Sequence, residues 1–456
     1  MKSQVPPNES SPPAANELDL PSFRIDDSVP SADVSRRSRK HAPPTRENHG
    51  VRRISGVIDE SLIDDDAARV VKKLTRAGFE AYVVGGCMRD ILLGGRPKDF
   101  DIATSARPEE VRALFRNSRI IGRRFRLVHV LFGTDKIIEV ATFRRSPQTE
   151  SPEDGDEPGD LLIRNDNVFG DAHEDAIRRD FTINALFYDL DRHEILDWAS
   201  GYEDVRARTI RTIGDPFVRF REDPVRMLRA VRFAGKLDLG IAPDVCDALV
   251  ATREDLLKAA RPRLFEDTMR ILRGGTCRRS LWLAWDAGLL AVLLPDLAAL
   301  IDDGQESTRS RATLVWRKLG ALDAVTKARG THFSDEILCA VLLEDAIWEA
   351  SGHDRDRVRA VSEWVSSVLD RIAIPRRVSE AIGRLLHVKA KLAGGKIPSR
   401  LVRSDITEGA VELLAIEALA RGESMAKVDA LRAAVEAAPR PTPVPREHRG
   451  DSLRPR

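Results

Sequence analysis

Apolar and polar positions repeat with two different periods along this chain. Between Ile63 and Gly78 the spacing predicts a helix with one buried face, formed by Ala67, Val70, Val71 and Leu74. Short apolar runs bounded by glycine or charged residues follow and predict strands up to about residue 214. From Ala242 to about Ala438 the apolar spacing is helical throughout. The pattern therefore predicts an α+β fold, in which a sheet-containing head precedes an all-α C-terminal half.

The first predicted strand ends at a pair of glycines, Gly85 and Gly86, and residues with helix-like spacing begin at Arg89. The glycines therefore mark a strand-to-helix turn. Glycine lets the backbone approach an anion closely, and the free N–H groups at a helix start donate to it. Gly85, Gly86 and Arg89 are thus a candidate phosphate site, although a glycine pair alone is more often a simple turn.

Polar and apolar residues alternate from Asp99 to Ile102, as in a strand that buries one face. This places Asp99 and Asp101 on one face and Phe100 and Ile102 in a core. Adjacent carboxylates repel each other unless a cation lies between them, and their hard oxygens suit Mg²⁺. Alone, such a pair is usually a solvated loop or a helix cap. Beside a phosphate site, it indicates nucleotidyl transfer.

A hairpin is predicted next, with strands over residues 120–130 and 137–144. Its second strand carries an acid, Glu139, among apolar residues. Placing a charged side chain among apolar residues costs free energy. A nearby metal site would offset this cost, and a salt bridge to Arg123 or Arg144 would offset it equally well. Both interpretations are open.

Three charged residues, Arg178, Arg179 and Asp180, precede an alternating run that predicts a strand from Phe181 to Tyr188. Arginines bind triphosphate oxygens through paired hydrogen bonds, and the carboxylate can serve a metal or a ribose. A salt-bridged strand entry is the simpler alternative.

A proline preceded by acids predicts a helix start at Pro224. Asp223 and Arg226, three positions apart, then lie together at its first turn. Such a pair can accept from the exocyclic amine of adenine or cytosine and donate to the neighbouring ring nitrogen. Guanine and uracil place a carbonyl where the amine would be. An isolated pair of this kind is usually an ordinary ion pair at a helix N-terminus.

Composition adds few constraints. The 73 Lys plus Arg and 72 Asp plus Glu give a net charge of +1, which does not by itself indicate a nucleic-acid binder. Basic residues that could follow an RNA backbone nevertheless recur in the helical half: Arg261, Arg263, Arg270, Arg273, Arg278, Arg279, Arg371, Arg376, Arg377, Arg384, Lys389 and Lys391.

The sequence also bears on where the protein is located. The four cysteines lack Cys-x-x-Cys spacing, which fits a reducing compartment. The sequence shows neither a membrane-length apolar run nor a secretory signal, so we expect a cytoplasmic protein.

The chain divides into five predicted parts. They are a disordered N-terminal arm (1–55), a nucleotidyltransferase head (56–214), a helical base-recognition and RNA-binding domain (215–280), an all-α RNA-binding domain (281–438) and a disordered Pro/Arg-rich tail (439–456). Within them, the basic cluster 36–40 is predicted to be solvated, and the acidic residues 146–160 are predicted to form a mobile surface loop.

The chain resembles the class II nucleotidyltransferases, the family that includes bacterial poly(A) polymerases and CCA-adding enzymes. The resemblance consists of four motifs that occur in the order found in that family. They are Gly85-Gly86-Cys87-Met88-Arg89-Asp90, Asp99-Phe100-Asp101, Arg178-Arg179-Asp180-Phe181-Thr182-Ile183-Asn184-Ala185, and the helix that starts with Glu222-Asp223-Pro224-Val225-Arg226. The segment from Ile120 to Val130, with Gly122-Arg123-Arg124-Phe125 and His129, is similar to the signature of the poly(A) polymerases. The similarity covers roughly Val57 to Leu297.

The resemblance implies a polymerase-β-like head with a mixed sheet and template-independent addition of AMP from ATP to RNA 3′ ends. Asp99 and Asp101 would hold two Mg²⁺ ions that activate the 3′-hydroxyl and stabilise the leaving pyrophosphate. Asp180 looks like the third active-site acid, with Glu139 as its rival.

The resemblance also implies that the glycine turn and Arg89, assisted by Arg178 and Arg179, would hold the triphosphate. Asp223 and Arg226 would read the base. RNA 3′ ends and ATP would be its partners, and RNA-decay proteins would be further partners. The processes served would be mRNA polyadenylation, RNA processing and RNA decay. A CCA-adding activity on tRNA, or an RNA-binding module without catalysis, is the alternative.

Overall fold

The structure, a computed structural model, describes residues 50–122, 126–133, 135–145, 168–302, 306–351, 356–368, 370–394 and 404–438. Several sequence predictions concern residues outside these ranges. They are the basic cluster 36–40 with most of the N-terminal arm, the signature residues Arg123, Arg124 and Phe125, the acidic loop 146–160 and the C-terminal tail 439–456.

The head is built on a mixed sheet, as predicted. The strands are β1 (Arg52–Ser55), β2 (Ala81–Val84), β3 (Asp101–Thr104), β4 (Ser118–Ile121), β5 (Leu127–Phe132), β6 (Lys136–Thr142), β7 (Arg144–Arg145), β8 (Val168–Phe169), β9 (Leu186–Asp189), β10 (Glu194–Asp197), β11 (Thr209–Ile210) and β12 (Gly240–Ile241). Eight of them form one sheet in the order β1-β10-β9-β2-β3-β6-β5-β4. In this sheet β3 and β6 run parallel, and the other neighbouring strands are antiparallel.

Helices cover the sheet and form most of the second half. They are α1 (Asp65–Arg76), α2 (Gly86–Leu92), α3 (Pro108–Leu114), α4 (Ala172–Ile177), α5 (Gly201–Arg206), α6 (Pro216–Glu222), α7 (Val225–Leu237), α8 (Pro243–Thr252), α9 (Arg261–Leu272), α10 (Cys277–Asp286), α11 (Leu289–Leu293), α12 (Pro295–Ile301), α13 (Glu306–Arg329), α14 (Asp335–Ala350), α15 (Arg357–Val368), α16 (Arg376–Ala393), α17 (Asp405–Arg421) and α18 (Ala426–Ala437). In the described part of the chain, none of them is both long and apolar enough to cross a membrane.

Helix α1 begins and packs as its pattern predicts. The Asp64 side chain accepts from the backbone N–H groups of Asp66 and Ala67 at the N-terminus, and the four predicted apolar residues are buried against the sheet. A smaller core covers the opposite face of the sheet, where Phe143 and Phe187 pack together. The sheet is thus buried on both sides, which fixes where its polar strand ends can emerge.

Helix α7 joins the head to the helical half. Its residues Val225, Leu228 and Val231 belong to the core of the helical half, whereas Phe233 and Ala234 belong to the head core. Strands β11 and β12, on either side of this helix in the sequence, pair in parallel. The predicted base-recognition segment is therefore packed into both halves.

Two sequence predictions are wrong at specific backbone positions. Residues 52–55, expected in the disordered arm, form β1 and pair with β10. The strand expected from Phe181 starts only at Leu186, because Thr182–Asn184 form a 3-10 turn. The Thr182 hydroxyl donates to Asp204 (2.8 Å) and the Asn184 amide donates to Asp180 (3.0 Å). Such side-chain hydrogen bonds favour a turn over a ladder.

Candidate active site

The two paired aspartates lie at the start of a central strand. Phe100 and Ile102 are buried and Asp99 and Asp101 are exposed, as the alternation predicts. Asp99 precedes β3 and Asp101 begins it. In the parallel pairing with β6, Asp101 lies opposite Glu139. Asp101 and Glu139 are thus neighbours on adjacent strands, and Asp99 lies two residues before Asp101 at the same end of the sheet.

The surroundings of Asp101 disfavour its charged form. Although this residue is exposed, the surrounding protein partly desolvates its carboxylate, and this together with Glu139 and Asp99 raises its pKa to about 6 against the opposing charge of Arg179. In the described part of the chain, no group of three or more His, Cys, Asp or Glu side chains is gathered closely enough to hold a metal ion. Mg²⁺ commonly uses one or two carboxylates plus water and substrate phosphates, and Asp99 with Asp101 fits this mode.

The glycine turn lies against the same carboxylate. Gly85 caps α2 with φ of +79°, a conformation that favours glycine. A Cβ at this position would lie 3.1 Å from Arg179 Nη1 and 4.0 Å from Asp101 Oδ2. Gly85 therefore keeps open a small space between a guanidinium and an acid of the candidate metal site.

Arg89 is placed differently from the expected direct phosphate ligand. Its side chain is buried, and its Nε and Nη2 donate to Asp90 Oδ1 at 2.8 and 2.6 Å. Its Nη1 donates to Asn184 Oδ1 at 2.6 Å. Arg89 thus fixes α2 to the turn that contains Asn184, and three of its five N–H groups are occupied.

The two neighbouring arginines are oriented by an acid that sequence reasoning missed. Asp175 is buried and accepts from Arg178 Nε (3.0 Å) and Arg179 Nη2 (2.9 Å). These ion pairs hold the pKa of Asp175 below its ordinary value, although burial opposes them. Arg179 Nη1 donates to the Asn184 carbonyl at 3.2 Å, which directs the guanidinium toward Gly85.

Asp180 is saturated by protein partners. Its Oδ2 accepts from Arg229 Nε at 2.8 Å, and its Oδ1 accepts from Asn184 Nδ2 and from the Phe181 backbone N–H. Burial opposes ionisation, but the Arg229 charge and these hydrogen bonds lower the pKa of Asp180 to about 2. The geometry therefore favours Glu139 over Asp180 as a partner for Asp101.

Glu139 also contacts the segment that resembles the poly(A) polymerase signature. His129 of β5 is its register partner, and His129 Nε2 lies 3.3 Å from Glu139 Oε1. The signature thus reaches the acidic end of the sheet through His129. Arg123, one of the two arginines considered as a salt-bridge partner for Glu139, lies outside the described residues.

Asp223 and Arg226 lie at the start of α7, but each has its own ionic partner. Arg226 Nη1 donates to Glu222 Oε2 (3.0 Å) and to the Arg219 carbonyl (2.9 Å). Asp223 Oδ2 accepts from Arg263 Nη2 at 2.8 Å. Within the described structure, Asp223 Oδ1 is buried and has no hydrogen-bond partner. The side chains are therefore held separately, and one buried acceptor of Asp223 lacks a partner.

Arg219 connects this pair to the predicted phosphate site. Its Nη2 donates to the carbonyls of Arg178 and Arg179, both at 2.7 Å, and its Nη1 donates to Glu222 Oε2 at 2.7 Å. The arginine is buried, which lowers its pKa. Sequence reasoning missed it because α6 itself was not predicted. The one local hint was Glu222, an acid next to Asp223, which accepts hydrogen bonds from both Arg219 and Arg226.

Comparison with known proteins identifies the family and the fold. Residues 81–211 match the Poly A polymerase head domain, and residues 238–301 match the probable RNA and SrmB-binding site of polymerase A. The solved structure of the Bacillus stearothermophilus CCA-adding enzyme in complex with CTP has a TM-score of 0.58 and 28% identity, with 80% of each chain covered. The expected fold, a polymerase-β-like head followed by helices, is confirmed.

Two curated relatives have the same name. The chain is 42% identical over 269 residues to poly(A) polymerase I of Salmonella typhi, with 58% of this chain and 56% of that protein covered. It thus spans about half the length of that relative. It is 36% identical over 397 residues to poly(A) polymerase I of Escherichia coli O6:H1, with 82% of this chain and 81% of that protein covered. The chain belongs to the family of bacterial poly(A) polymerases and tRNA nucleotidyltransferases.

Proposed function

We propose that the chain is a template-independent polynucleotide adenylyltransferase, which adds AMP from ATP to RNA 3′ ends. One observation carries the proposal. The Cβ position of Gly85 lies within 4.0 Å of both Arg179 Nη1 and Asp101 Oδ2. A phosphate-binding cation and a metal-binding carboxylate thus flank one glycine turn, which suits a metal-bound triphosphate.

Asp99 and Asp101 would hold Mg²⁺ in a two-metal site, with Glu139 beside them. When bound, the metal supplies Lewis-acid activation of the RNA 3′-hydroxyl and charge stabilisation of the pyrophosphate. Gly85 and Gly86 admit the triphosphate close to the backbone. Arg179, oriented by Asp175, donates to its oxygens. Arg89 acts indirectly by fixing the glycine turn.

Asp223 and Arg226 would read the base at the start of α7. The unpartnered Oδ1 of Asp223 is an acceptor for the exocyclic amine of adenine. Only Arg226 Nη1 donates to Glu222 and to the Arg219 carbonyl, so its other N–H groups would donate to the adjacent ring nitrogen. A base with a carbonyl in place of the amine would leave Asp223 facing an acceptor, which costs on the order of 1–3 kcal/mol.

RNA would bind to the helical half. Arg377, Arg384 and Lys391 are exposed and recur every seven residues on α16, so they form one basic stripe along that helix. Not every predicted basic residue is available for this role. Lys389, one of that set, is buried and donates to Glu344 at 2.8 Å.

The second candidate function is CCA addition to tRNA. It is favoured by the likeness to a CCA-adding enzyme solved with CTP, and by the chemistry of Asp223, which suits cytosine as well as adenine. The His129 signature favours adenylyl transfer, as does the extent of the match to a poly(A) polymerase, which is 36% identical over 397 residues. The paired Asp99 and Asp101 argue against a non-catalytic RNA-binding module.

The resemblance extends the proposal to mRNA polyadenylation, RNA processing and decay in the cytoplasm, together with RNA-decay proteins. Co-purification of such proteins with the full chain, before and after ribonuclease treatment, tests this part.

The activity itself is tested with the pure protein, Mg²⁺ and each labelled nucleotide in turn, on an unstructured RNA and on a tRNA that lacks CCA. We expect extension of the unstructured RNA with ATP. Incorporation confined to the tRNA, with CTP and then ATP, would instead identify a CCA-adding enzyme.

A further inference from the structure

A surface arginine from the helical half reaches the residue proposed to read the base. Arg263 belongs to the first turn of α9, and its Nη2 donates to Asp223 Oδ2 at 2.8 Å. The two residues are 40 positions apart and meet because α7 and α9 pack together. The sequence suggested only that Arg263 follows an RNA backbone.

The contact leaves the two oxygens of Asp223 in different states. Oδ2 is bound to Arg263, whereas Oδ1 is buried and has no hydrogen-bond partner among the described residues. A carboxylate has two equivalent oxygens and turns easily about its last bond. A donor on one oxygen therefore determines where the other points.

We propose that Arg263 is a positioning residue that sets nucleotide specificity through Asp223. It holds Oδ2 so that Oδ1 faces the exocyclic amine of the incoming base. The inference rests on the proposed base-reading role of Asp223. Without Arg263, Asp223 can turn and take water or another donor, and a base with a carbonyl at that place is no longer penalised as strongly.

A second acid, Asp267, lies one turn further along α9 and is also within reach of the Arg263 charge, together with those of Arg229, Arg270 and Arg232. Its Oδ1 is 3.8 Å from Arg270 Nη1 and has no hydrogen-bond partner among the described residues. The hydrogen bond that Arg263 does form goes to Asp223. This hydrogen bond, rather than the surrounding charge, links Arg263 to Asp223.

The competing explanation is an ordinary surface ion pair. The Arg263 side chain is 54% exposed, and exposed pairs contribute about 0–1 kcal/mol to stability. Arg261 of the same helix is also 54% exposed and pairs loosely with Asp370 at 3.8 Å. It is a matched control, because it has the same charge, helix and exposure but pairs with a different acid.

The test measures kcat/KM for ATP, GTP and UTP on one unstructured RNA. Wild type, Arg263→Gln, Arg263→Lys, Arg261→Gln, Asp223→Ala and the double variant Arg263→Gln/Asp223→Ala are compared. We expect Arg263→Gln to lower the ATP-to-GTP and ATP-to-UTP ratios at least about tenfold, as expected when a buried polar match is lost. Arg263→Lys should restore part of each ratio, and Arg261→Gln should leave both unchanged.

The double variant separates positioning from general damage. If Arg263 acts through Asp223, adding Arg263→Gln to Asp223→Ala changes the ratios no further. Additive effects, or wild-type ratios in Arg263→Gln, would overturn the inference. If a variant transfers too slowly, the ratio of the dissociation constant for GTP to that for ATP on the folded full chain is compared among the variants instead, and Arg263→Gln should lower that ratio as well. A wild type that does not prefer ATP would instead contradict the proposed function.

Discussion

Asp101 of β3 lies directly opposite Glu139 of β6, in the parallel pairing at the centre of the sheet. Desolvation by the surrounding protein raises the pKa of Asp101 to about 6, and Glu139 adds to this rise because both side chains emerge at the same end of the sheet. The pair therefore concentrates negative charge beside the glycine turn. Four predictions, two about this acidic group and two about the helical half, can be tested by substitution.

The first prediction concerns the aspartate pair. Asp99→Ala and Asp101→Ala should each abolish transfer while the protein stays folded, because both residues are exposed and each variant would lose only a proposed metal ligand. Activity on an unstructured RNA and the melting temperature are measured together. Asp65→Ala, at an exposed position of α1, is the control. Residual activity above about a tenth of wild type, a loss below about 1.4 kcal/mol, would contradict the metal assignment.

The second prediction separates the two candidates for the third acid. Glu139→Gln should lower kcat at least about tenfold with little change in stability, because this side chain is exposed next to Asp101. Asp180→Asn should cost about 3 kcal/mol of stability, since it leaves Arg229 without its buried partner. Denaturant unfolding and kcat are measured for both. An Asp180→Asn variant with wild-type stability but no activity would indicate that Asp180, rather than Glu139, is the third active-site acid.

Much of this site was predictable because its signals are local. The burial of Phe100 and Ile102 follows from alternation alone, and the left-handed turn at Gly85 follows from a glycine pair after an apolar run. The partners that orient the site were not predictable. Asp175 and Arg263 resemble ordinary charged helix residues in the sequence, and only tertiary packing brings Arg263 to Asp223.

Basic residues were the least informative signal for the same reason. A lysine that tracks RNA and a lysine that stabilises a core have the same local pattern, and Lys389 is of the second kind. Its ammonium is shared by Glu344 and by Glu417 at 2.6 Å. Burial of a charge depends on neighbours from other helices, which a single sequence does not reveal.

The third prediction uses this buried network. Burial opposes ionisation of Glu417, but Lys389, Lys318 and Arg421 lower its pKa to about 2. Because the folded-state pKa is depressed, the stabilisation is present above the unfolded value of about 4.3 and is lost as pH falls through about 2. Glu417→Gln should therefore cost about 2 kcal/mol near pH 7 and progressively less below pH 4.

Denaturant unfolding between pH 7 and pH 2 tests this. Glu363→Gln is the control, because Glu363 forms an exposed pair with Arg359 one turn away and should change stability by less than about 0.5 kcal/mol. A pH-independent effect of Glu417→Gln would contradict the ionic origin.

The fourth prediction concerns the basic stripe of α16. Neutralising Arg377, Arg384 and Lys391 to Gln should weaken RNA binding and reduce the slope of log affinity against log salt by about 2, since each phosphate contact with a single strand contributes about 0.7. Arg69→Gln, at an exposed position on α1, is the control.

These measurements require the full-length protein, because truncation after Ala242 would expose the apolar face of α7 that packs in the helical core. An unchanged slope would move the RNA site away from α16.

The proposed activity is repeated addition of AMP to RNA 3′ ends. The most direct measurement is to sequence the tails that the pure protein adds, with Mg²⁺ and all four nucleotides present, to an unstructured RNA and to a tRNA that lacks CCA. We expect runs of A on the unstructured RNA, and we expect them to disappear with Asp101→Ala. Tails that stop at CCA on the tRNA, with none on the unstructured RNA, would contradict it.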